Sequence, residues 1–204
     1  MQYYWAFRVI KLTFEEHIVV LQLKRRISRQ LRLFLGCTLF CGWESRPRGD
    51  GTTDEGEFSG GRIWVIRIDP GEDALLALRS KIREKGITQA VVVSGYGTFA
   101  RARLHWVAHN RFPTDNLFEE FEGGIELMSM NGMIVDGEPH IHFTAATPKG
   151  AFGGHLEEGC IVYVLCEVVL VELDGPRMRR VEAPAGVDEC GNPVDVPRLS
   201  FDGD

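Results

Sequence analysis

The chain has 204 residues, of which 44% are hydrophobic and 25% charged, a composition typical of a globular protein with one core. No apolar run reaches the roughly 18 residues that a membrane-spanning helix needs, so we expect no membrane span. Residues 1–48 carry nine Lys/Arg against three Glu and the remainder 14 against 26 acidic residues, so the acidic body should repel a phosphate backbone.

The five cysteines do not indicate a disulfide framework. Their number is odd, and Cys160 and Cys166 lie beside or in an apolar run, where a reduced cysteine behaves as a small hydrophobe. A reducing, cytoplasmic location is therefore expected. The Cys37-x3-Cys41 spacing has no second ligand pair nearby, so it is a weak metal motif.

Residues 1–57 are predicted to be an N-terminal extension that is poorly ordered or precedes the true start of translation. Their basic residues, within 8–48, could make weak contact with DNA. The stretch from Arg46 to Phe58 is rich in Gly, Asp, Glu and Thr, which is typical of a linker.

The ordered domain is predicted over residues 58–176. Arg62–Ile68 is rich in β-branched residues and indicates a strand. Asp69 suits a helix N-cap and Pro70 the first helical position, apolar residues then recur at helical spacing, and Gly86 can end the helix.

Two further strands are predicted at Ala90–Ser94 and Phe99–Val107, with a tight turn at Gly95–Gly97 between them. Gly124–Met130 is another strand, and the Asn131-Gly132 pair that follows it is a hairpin signal.

After a turn at Asp136-Gly137, alternation predicts a strand at His140–Ala145, and Gly150–Gly154 is predicted to be a mobile loop ending at His155. Ile161–Leu173 is a long apolar strand, and residues 177–204 are predicted to be a loosely packed tail. One or two helices among many antiparallel hairpins indicate the α+β class.

Half of the six histidines, His140, His142 and His155, fall within 16 residues. Residues two apart in a strand face the same side, so His140 and His142 can converge on one ion, and Gly153-Gly154 let the chain return with His155. Three imidazoles plus water are typical of catalytic zinc. The alternative is that the three only form hydrogen bonds in a polar pocket or at a subunit contact.

Glu126, Glu167 and Ser94 are secondary candidates. The two carboxylates interrupt apolar runs, so they face solvent, pair with an arginine, orient a metal-bound histidine or act as a general base. His105 and His109 are predicted to be surface residues.

Several segments together resemble the plants-and-prokaryotes conserved (PPC) domain over about residues 60–175. The matching segments are Asp69-Pro70-Gly71-Glu72-Asp73, Ser94-Gly95-Tyr96-Gly97, Gly124 to Gly132, His140-Ile141-His142, Gly153-Gly154-His155-Leu156, Gly159-Cys160 and Glu167-Val168-Val169-Leu170.

This resemblance implies a mainly antiparallel β-sheet with one or two packing helices, in a subunit that assembles as a homotrimer. In plants the domain follows AT-hook motifs in nuclear DNA-binding proteins. Here Arg46-Pro47-Arg48-Gly49 stands in place of the Arg-Gly-Arg-Pro core of that motif, so the resemblance implies a stand-alone prokaryotic form.

Three functions remain open at this point: a DNA-associated or regulatory trimer, a zinc-dependent enzyme with Glu126 or Glu167 as acid or base, and a small-ligand sensor. The sequence favours a PPC-type binding protein with a pocket able to hold a metal.

Overall fold

A computed structural model describes residues 55–201. Of the extension and basic segment predicted for residues 1–57, positions 1–54 lie outside the described residues. The elements in chain order are β1 (Ser59–Ile68), α1 (Ala74–Lys85), β2 (Ala90–Val107), β3 (Asn116–Val135), β4 (Glu138–Thr147), β5 (Gly150–Leu156), β6 (Ile161–Asp174), β7 (Met178–Val187) and β8 (Pro193–Phe201).

Six strands form one antiparallel sheet in the order β1-β6-β2-β3-β4-β5. The last strand, β5, also pairs with β2 through Leu104 and His105, so β2, β3, β4 and β5 close on themselves. Strand β1 pairs only with β6 in this sheet and lies at its edge. The predicted fold class is confirmed, with α1 as the single helix of residues 55–201, and this helix is too short and polar to cross a membrane.

The core lies inside the closed strands and under α1. Strand β4 shows the alternation that creates it, because Ile141, Phe143 and Ala145 are buried while His140 and His142 are exposed. The aromatic rings of Phe99 and Phe143 meet edge to face in the interior. This alternation places the histidines on the outer surface of the sheet.

The helix begins later than the sequence predicts. Asp73, not Asp69, is the N-cap, and its carboxylate accepts hydrogen bonds from the backbone N–H groups of Leu75 and Leu76 at 3.0 and 3.1 Å. Gly71 has a φ of +85°, which ends any helical conformation before Asp73. Gly86 adopts the left-handed conformation predicted for the C-terminal end.

The turn predicted at Gly95–Gly97 and the hairpin predicted at Asn131-Gly132 are both wrong, because β2 and β3 run through them without a break. Gly97 and Gly132 have φ values of 147° and 152°. A Cβ at either position would lie 2.1 Å from a carbonyl oxygen of the neighbouring strand, that of Leu165 or His140 respectively. These glycines allow two backbones to approach closely rather than to turn.

The segment predicted as a mobile loop is strand β5, which pairs with β4 from Gly150 to His155. The indole N–H of Trp106 on β2 donates to the carbonyl oxygen of Gly153. A side chain at Gly154 would approach the carbonyl oxygen of His105. The glycines thus permit tight strand packing, and His155 sits in a sheet, not on a hinge.

The C-terminal segment, predicted to be a loose tail, contains the paired strands β7 and β8. Met178 at the start of β7 is buried, and its backbone N–H donates to the side-chain oxygen of Gln89 at 3.1 Å. Arg177 forms an ion pair with Asp136 at 2.9 Å. The first residues of the β7–β8 hairpin therefore attach it to the domain.

Candidate metal centre

Three histidines lie in one row across neighbouring strands. His142 of β4 is opposite His155 of β5, and His155 is opposite His105 of β2. His140 lies two residues before His142 and shares its face of β4. Side chains directly opposite one another in paired strands are near neighbours, so the register alone brings four imidazoles together.

The structure brings together the three histidines singled out from the sequence. The Nε2 atoms of His140 and His142 are 3.3 Å apart. The ring of His155 has its centroid 4.7 Å from that of His140 and 5.3 Å from that of His142. Three imidazoles that meet this closely, from two strands, can bind one ion together.

His105 was predicted to be a surface residue, and this is wrong. Its side chain is only 17% exposed, and its ring stacks on that of His155 with centroids 4.5 Å apart. The sequence could not show this contact, because it depends on the closure of β5 onto β2, whose residues are about fifty positions apart in the chain.

Glu157 is the second residue that the sequence analysis missed. Its Oε1 atom lies 2.7 Å from Nδ1 of His105 and 3.2 Å from Nδ1 of His155. Nδ1 of His155 is buried and has no well-directed hydrogen bond, so this close carboxylate is its polar neighbour. The spacing His155-x-Glu157 could have indicated this contact, because residues two apart in an extended chain share a face. Backbone pairing does continue past Leu156, where the N–H of Glu157 donates to the carbonyl oxygen of Arg103.

Loss of hydration and neighbouring positive charge lower the pKa of two histidines of the cluster, His140 and His155. Desolvation lowers the pKa of His155, and a smaller opposing effect comes from Glu157. Desolvation also lowers the pKa of His140, with further contributions from His155 and Arg180. Neutral imidazole is the form that binds a metal, so these shifts favour a cation over protons near neutral pH.

The carboxylates proposed from the sequence lie elsewhere. Glu126 is exposed on β3 opposite Ala146, four residues beyond His142 on β4, at an open pocket of about 450 Å³. Glu167 is on β6 and accepts a hydrogen bond from the hydroxyl of Tyr96. Ser94 is opposite Val169 of β6. None of the three is brought to the histidines.

The thiols of the domain belong to its core. Cys160 and Cys166 are fully buried, as predicted, and burial raises the pKa of each to about 12. Cys160 Sγ donates to the carbonyl oxygen of Arg103 at 3.1 Å. A protonated, buried thiol is not a ligand for this site. His109 lies apart from the cluster and pairs with Asp115.

The donor set fits a borderline divalent ion. Nitrogen ligands from His140, His142 and His155 suit zinc and its neighbours better than magnesium or calcium. The buried Nδ1 of His155 faces a carboxylate, which is the usual outer partner of a metal-binding histidine. Among residues 55–201, the set whose three ligand atoms lie within 4.8 Å of one another is His105, His155 and Glu157.

Solved structures share this fold. A plant- and prokaryote-conserved protein from Pyrococcus horikoshii is 28% identical, with a TM-score of 0.56 over 71% of this chain and 97% of that one. A metal-containing protein from Archaeoglobus fulgidus is 24% identical, with a TM-score of 0.56 over 72% and 99%. A candidate DNA-binding protein from Bacteroides thetaiotaomicron is 21% identical, with a TM-score of 0.53 over 68% and 96%. The last two, at this identity, show the fold alone.

Among curated proteins, the bifunctional protein GlmU of a Synechococcus strain is 29% identical over 125 residues, which are 61% of this chain and 19% of the relative. The chain therefore spans about a fifth of the length of the curated relatives it matches. The sequence model of the Plants and Prokaryotes Conserved domain, abbreviated PCC or PPC, matches residues 55–174. With more than half of its length matched, the chain belongs to this family, as its motifs predict.

Proposed function

We propose that this protein is a metal-binding PPC-family homotrimer whose histidine site binds or transforms a small molecule. Zinc is the expected ion, held by His140, His142 and His155. The observation that carries the proposal is the convergence of these three rings, with centroids 4.7 to 5.3 Å apart, on one outer face of the sheet. Three protein ligands leave a coordination position for water or a ligand.

The chain's own residues prepare this site. Glu157, at Nδ1 of His105 and of His155, favours the tautomers in which both rings carry their proton on Nδ1. Nε2 of His155 is then left as the nitrogen that can bind an ion. When bound, zinc would act as a Lewis acid and lower the pKa of a coordinated water. An enzyme would release an altered molecule and a sensor would return it unchanged, so mass spectrometry of the ligand distinguishes the two.

The exposed surface of β1, β6 and β2 supports the trimer. Ile63 is opposite Val171 and Val65 is opposite Val169, so apolar side chains form rows on this face. The side chains of Ile63 and Val65 are 67% and 71% exposed. Continuous apolar surface of this kind is typical of an interface. Further exposed apolar residues of the three strands are Val93, Tyr96, Tyr163, Val164 and Leu165.

The metal proposal is tested by titrating zinc into chelator-treated protein and its variants. His142→Ala should weaken zinc binding by more than about 100-fold, beyond the loss typical of an outer hydrogen-bond partner. His109→Ala is the matched control, because His109 lies outside the cluster, and its affinity should equal that of the wild type. Equal, weak binding by the wild type and His142→Ala would contradict the proposal.

DNA association is a second candidate function, favoured by the basic composition of residues 8–48, which hold all nine Lys/Arg of the first 48 residues. Residues 55–201 carry 14 Lys/Arg against 22 Asp/Glu, so we expect any binding to depend on the N-terminal segment and to fall steeply with salt. A chain starting at Glu55 should not bind DNA at physiological salt. Sequence-selective binding by this shorter chain would contradict the electrostatic argument.

A further inference from the structure

One carboxylate oxygen faces two imidazole nitrogens where β5 closes onto β2. Oε1 of Glu157 is 2.7 Å from Nδ1 of His105 and 3.2 Å from Nδ1 of His155. Ligand atoms of the three residues all lie within 4.8 Å of one another. Two ligand atoms of a tetrahedral zinc ion are roughly 3.4 Å apart, so shifts of about 1 Å or less would place all three on one ion.

The hydrogen bonding of this set is incomplete. Nδ1 of His155 is buried and has no hydrogen-bond partner, although the carboxylate lies beside it. The oxygen that it faces is closer to His105 and forms its hydrogen bond there. A buried polar nitrogen without a partner is rare in folded proteins. An ion held among the three residues would give this nitrogen its partner.

The packing of the two strands fixes the set in place. The side chains of His105, His155 and Glu157 are 17%, 21% and 24% exposed. The rings of the two histidines stack with centroids 4.5 Å apart, and the ring of Phe118 lies 5.3 Å from that of His105. The backbone N–H of Glu157 donates to the carbonyl oxygen of Arg103. The donors are therefore held close together by neighbouring side chains and backbone hydrogen bonds.

Two histidines and one glutamate form a donor set that holds catalytic zinc in other proteins. In this set His155 supplies Nδ1, whereas the three-histidine site uses Nε2 of the same ring. Binding at both nitrogens converts the ring into an imidazolate and releases the Nδ1 protons of His105 and His155 to solvent. The negative charges of the imidazolate and of Glu157 offset the repulsion between the two cations.

We propose that His105, His155 and Glu157 form a second site for a divalent transition-metal ion, joined to the three-histidine site by the ring of His155. This inference rests on the proposed function for the first ion and adds a second ion beside it. Two of the three residues, His105 and Glu157, take no part in the first site as ligands, so each site can be removed by substitutions that leave the other ligand set complete.

The first test measures the zinc content of the full chain after chelator treatment, reloading and desalting. Wild type should hold about two ions per chain and His105→Phe about one, because phenylalanine keeps the ring stacking but is not a ligand. Glu157→Gln should also hold about one, since a neutral amide replaces the carboxylate. His109→Phe makes the same change as His105→Phe at a histidine outside the cluster, and its zinc content should equal that of the wild type.

The second test detects the shared ring. Two copper(II) ions on one imidazolate couple their electron spins, so the electron paramagnetic resonance signal falls below that expected from the copper content. Wild type loaded with copper(II) should show this loss of signal. His105→Phe should show the full signal of its remaining ion.

The outcomes separate this inference from the proposed function. A single ion in the wild type, lost in His142→Ala and kept in His105→Phe, would overturn the second site and leave the proposed function intact. A single ion lost in His105→Phe and kept in His142→Ala would contradict the three-histidine site and the shared ring. Two ions with the full copper signal would overturn the shared ring. Failure of the wild type to bind zinc would contradict both proposals.

Discussion

The two sides of β2 differ in how the sheet ends. On one side β3, β4 and β5 follow, and β5 pairs again with β2, so this side is closed. On the other side β6 and β1 follow, and β1 lies at an edge. The closed side carries the half-buried cluster of His105, His155 and Glu157, whereas the open side exposes Ile63 and Val65.

This difference suits one sheet to both proposed roles, metal binding and contact with another subunit. Closure brings residues from distant parts of the chain into one row and partly removes them from water, which is what a metal site requires. An edge strand instead keeps unpaired backbone groups and apolar side chains that favour contact with another subunit. We therefore expect mutations on the two sides to have separable effects.

The largest expected effect comes from adding a side chain where two neighbouring strands approach most closely, at Gly97 and Gly132. Gly97→Ala on the open side and Gly132→Ala on the closed side should each lower the free energy of unfolding by at least about 3 kcal/mol, since the new methyl group overlaps a neighbouring backbone. Gly124→Ala is the control, because nothing lies within 4 Å of its added Cβ. Chemical denaturation measures all three, and a stable Gly97→Ala protein would contradict the close approach.

The second largest expected effect is the loss of assembly when charged side chains are introduced on the open side. Ile63→Lys combined with Val65→Lys should convert the proposed trimer, about three times 22.9 kDa, into monomers, because the two new charges of each subunit cannot be buried at an interface without partners. Light scattering after size-exclusion chromatography reports the mass, and zinc titration should be unchanged. Leu76→Lys on the helix serves as control, and a variant that stays trimeric would place the interface elsewhere.

A smaller effect is expected from Glu157 on the closed side. Glu157→Gln should weaken zinc binding by about 10- to 100-fold, the range seen for outer partners of metal-binding histidines. The adjacent Glu158, which pairs with Arg79, provides a control in Glu158→Gln. Glu126→Gln and Glu167→Gln should also leave zinc affinity unchanged, and a loss in either would restore the role suggested by the sequence.

The smallest effect is a pH dependence of the metal-free protein. Folding lowers the pKa of His140 and His155 below 6.5, so the unfolded chain binds more protons in this range. The free energy of unfolding should therefore be highest above pH 6.5 and decrease as the pH falls below it. The charged or titratable groups that act on these two histidines include His105, His142, Glu157 and Arg180. His155→Gln should flatten this decrease, whereas an unchanged slope would show that other groups dominate.

Local patterns in the sequence predicted much of the fold. The α+β class, the helix end at Gly86 and the turn at Asp136-Gly137 all follow from short-range chemistry, and all are present. The alternation of β4 likewise predicted that His140 and His142 share a face. The two turns were predicted wrongly because a glycine in the sequence indicates either a turn or a close approach of two strands. At Gly97 and Gly132 it is the close approach.

The candidate site was predicted only in part for a related reason. His140, His142 and His155 share a short stretch of chain, so their spacing is visible. His105 joins them through a strand pairing that no local pattern encodes. Glu126 and Glu167 drew attention as charges among apolar residues, but a carboxylate assists a histidine only where the register of the sheet places it beside the ring, as it does for Glu157.

Gly132 places a condition on any attempt to move this histidine pair into another protein. The residue lies against the carbonyl oxygen of His140, too close for any side chain. Grafting His-x-His alone onto a host sheet would therefore reproduce the ligands but not the backbone path of the strand that presents them. A host would also need a glycine on the adjacent strand opposite the residue between the two histidines, as Gly132 is opposite Ile141, and this pairing is a more selective search pattern for such sites than the histidines by themselves.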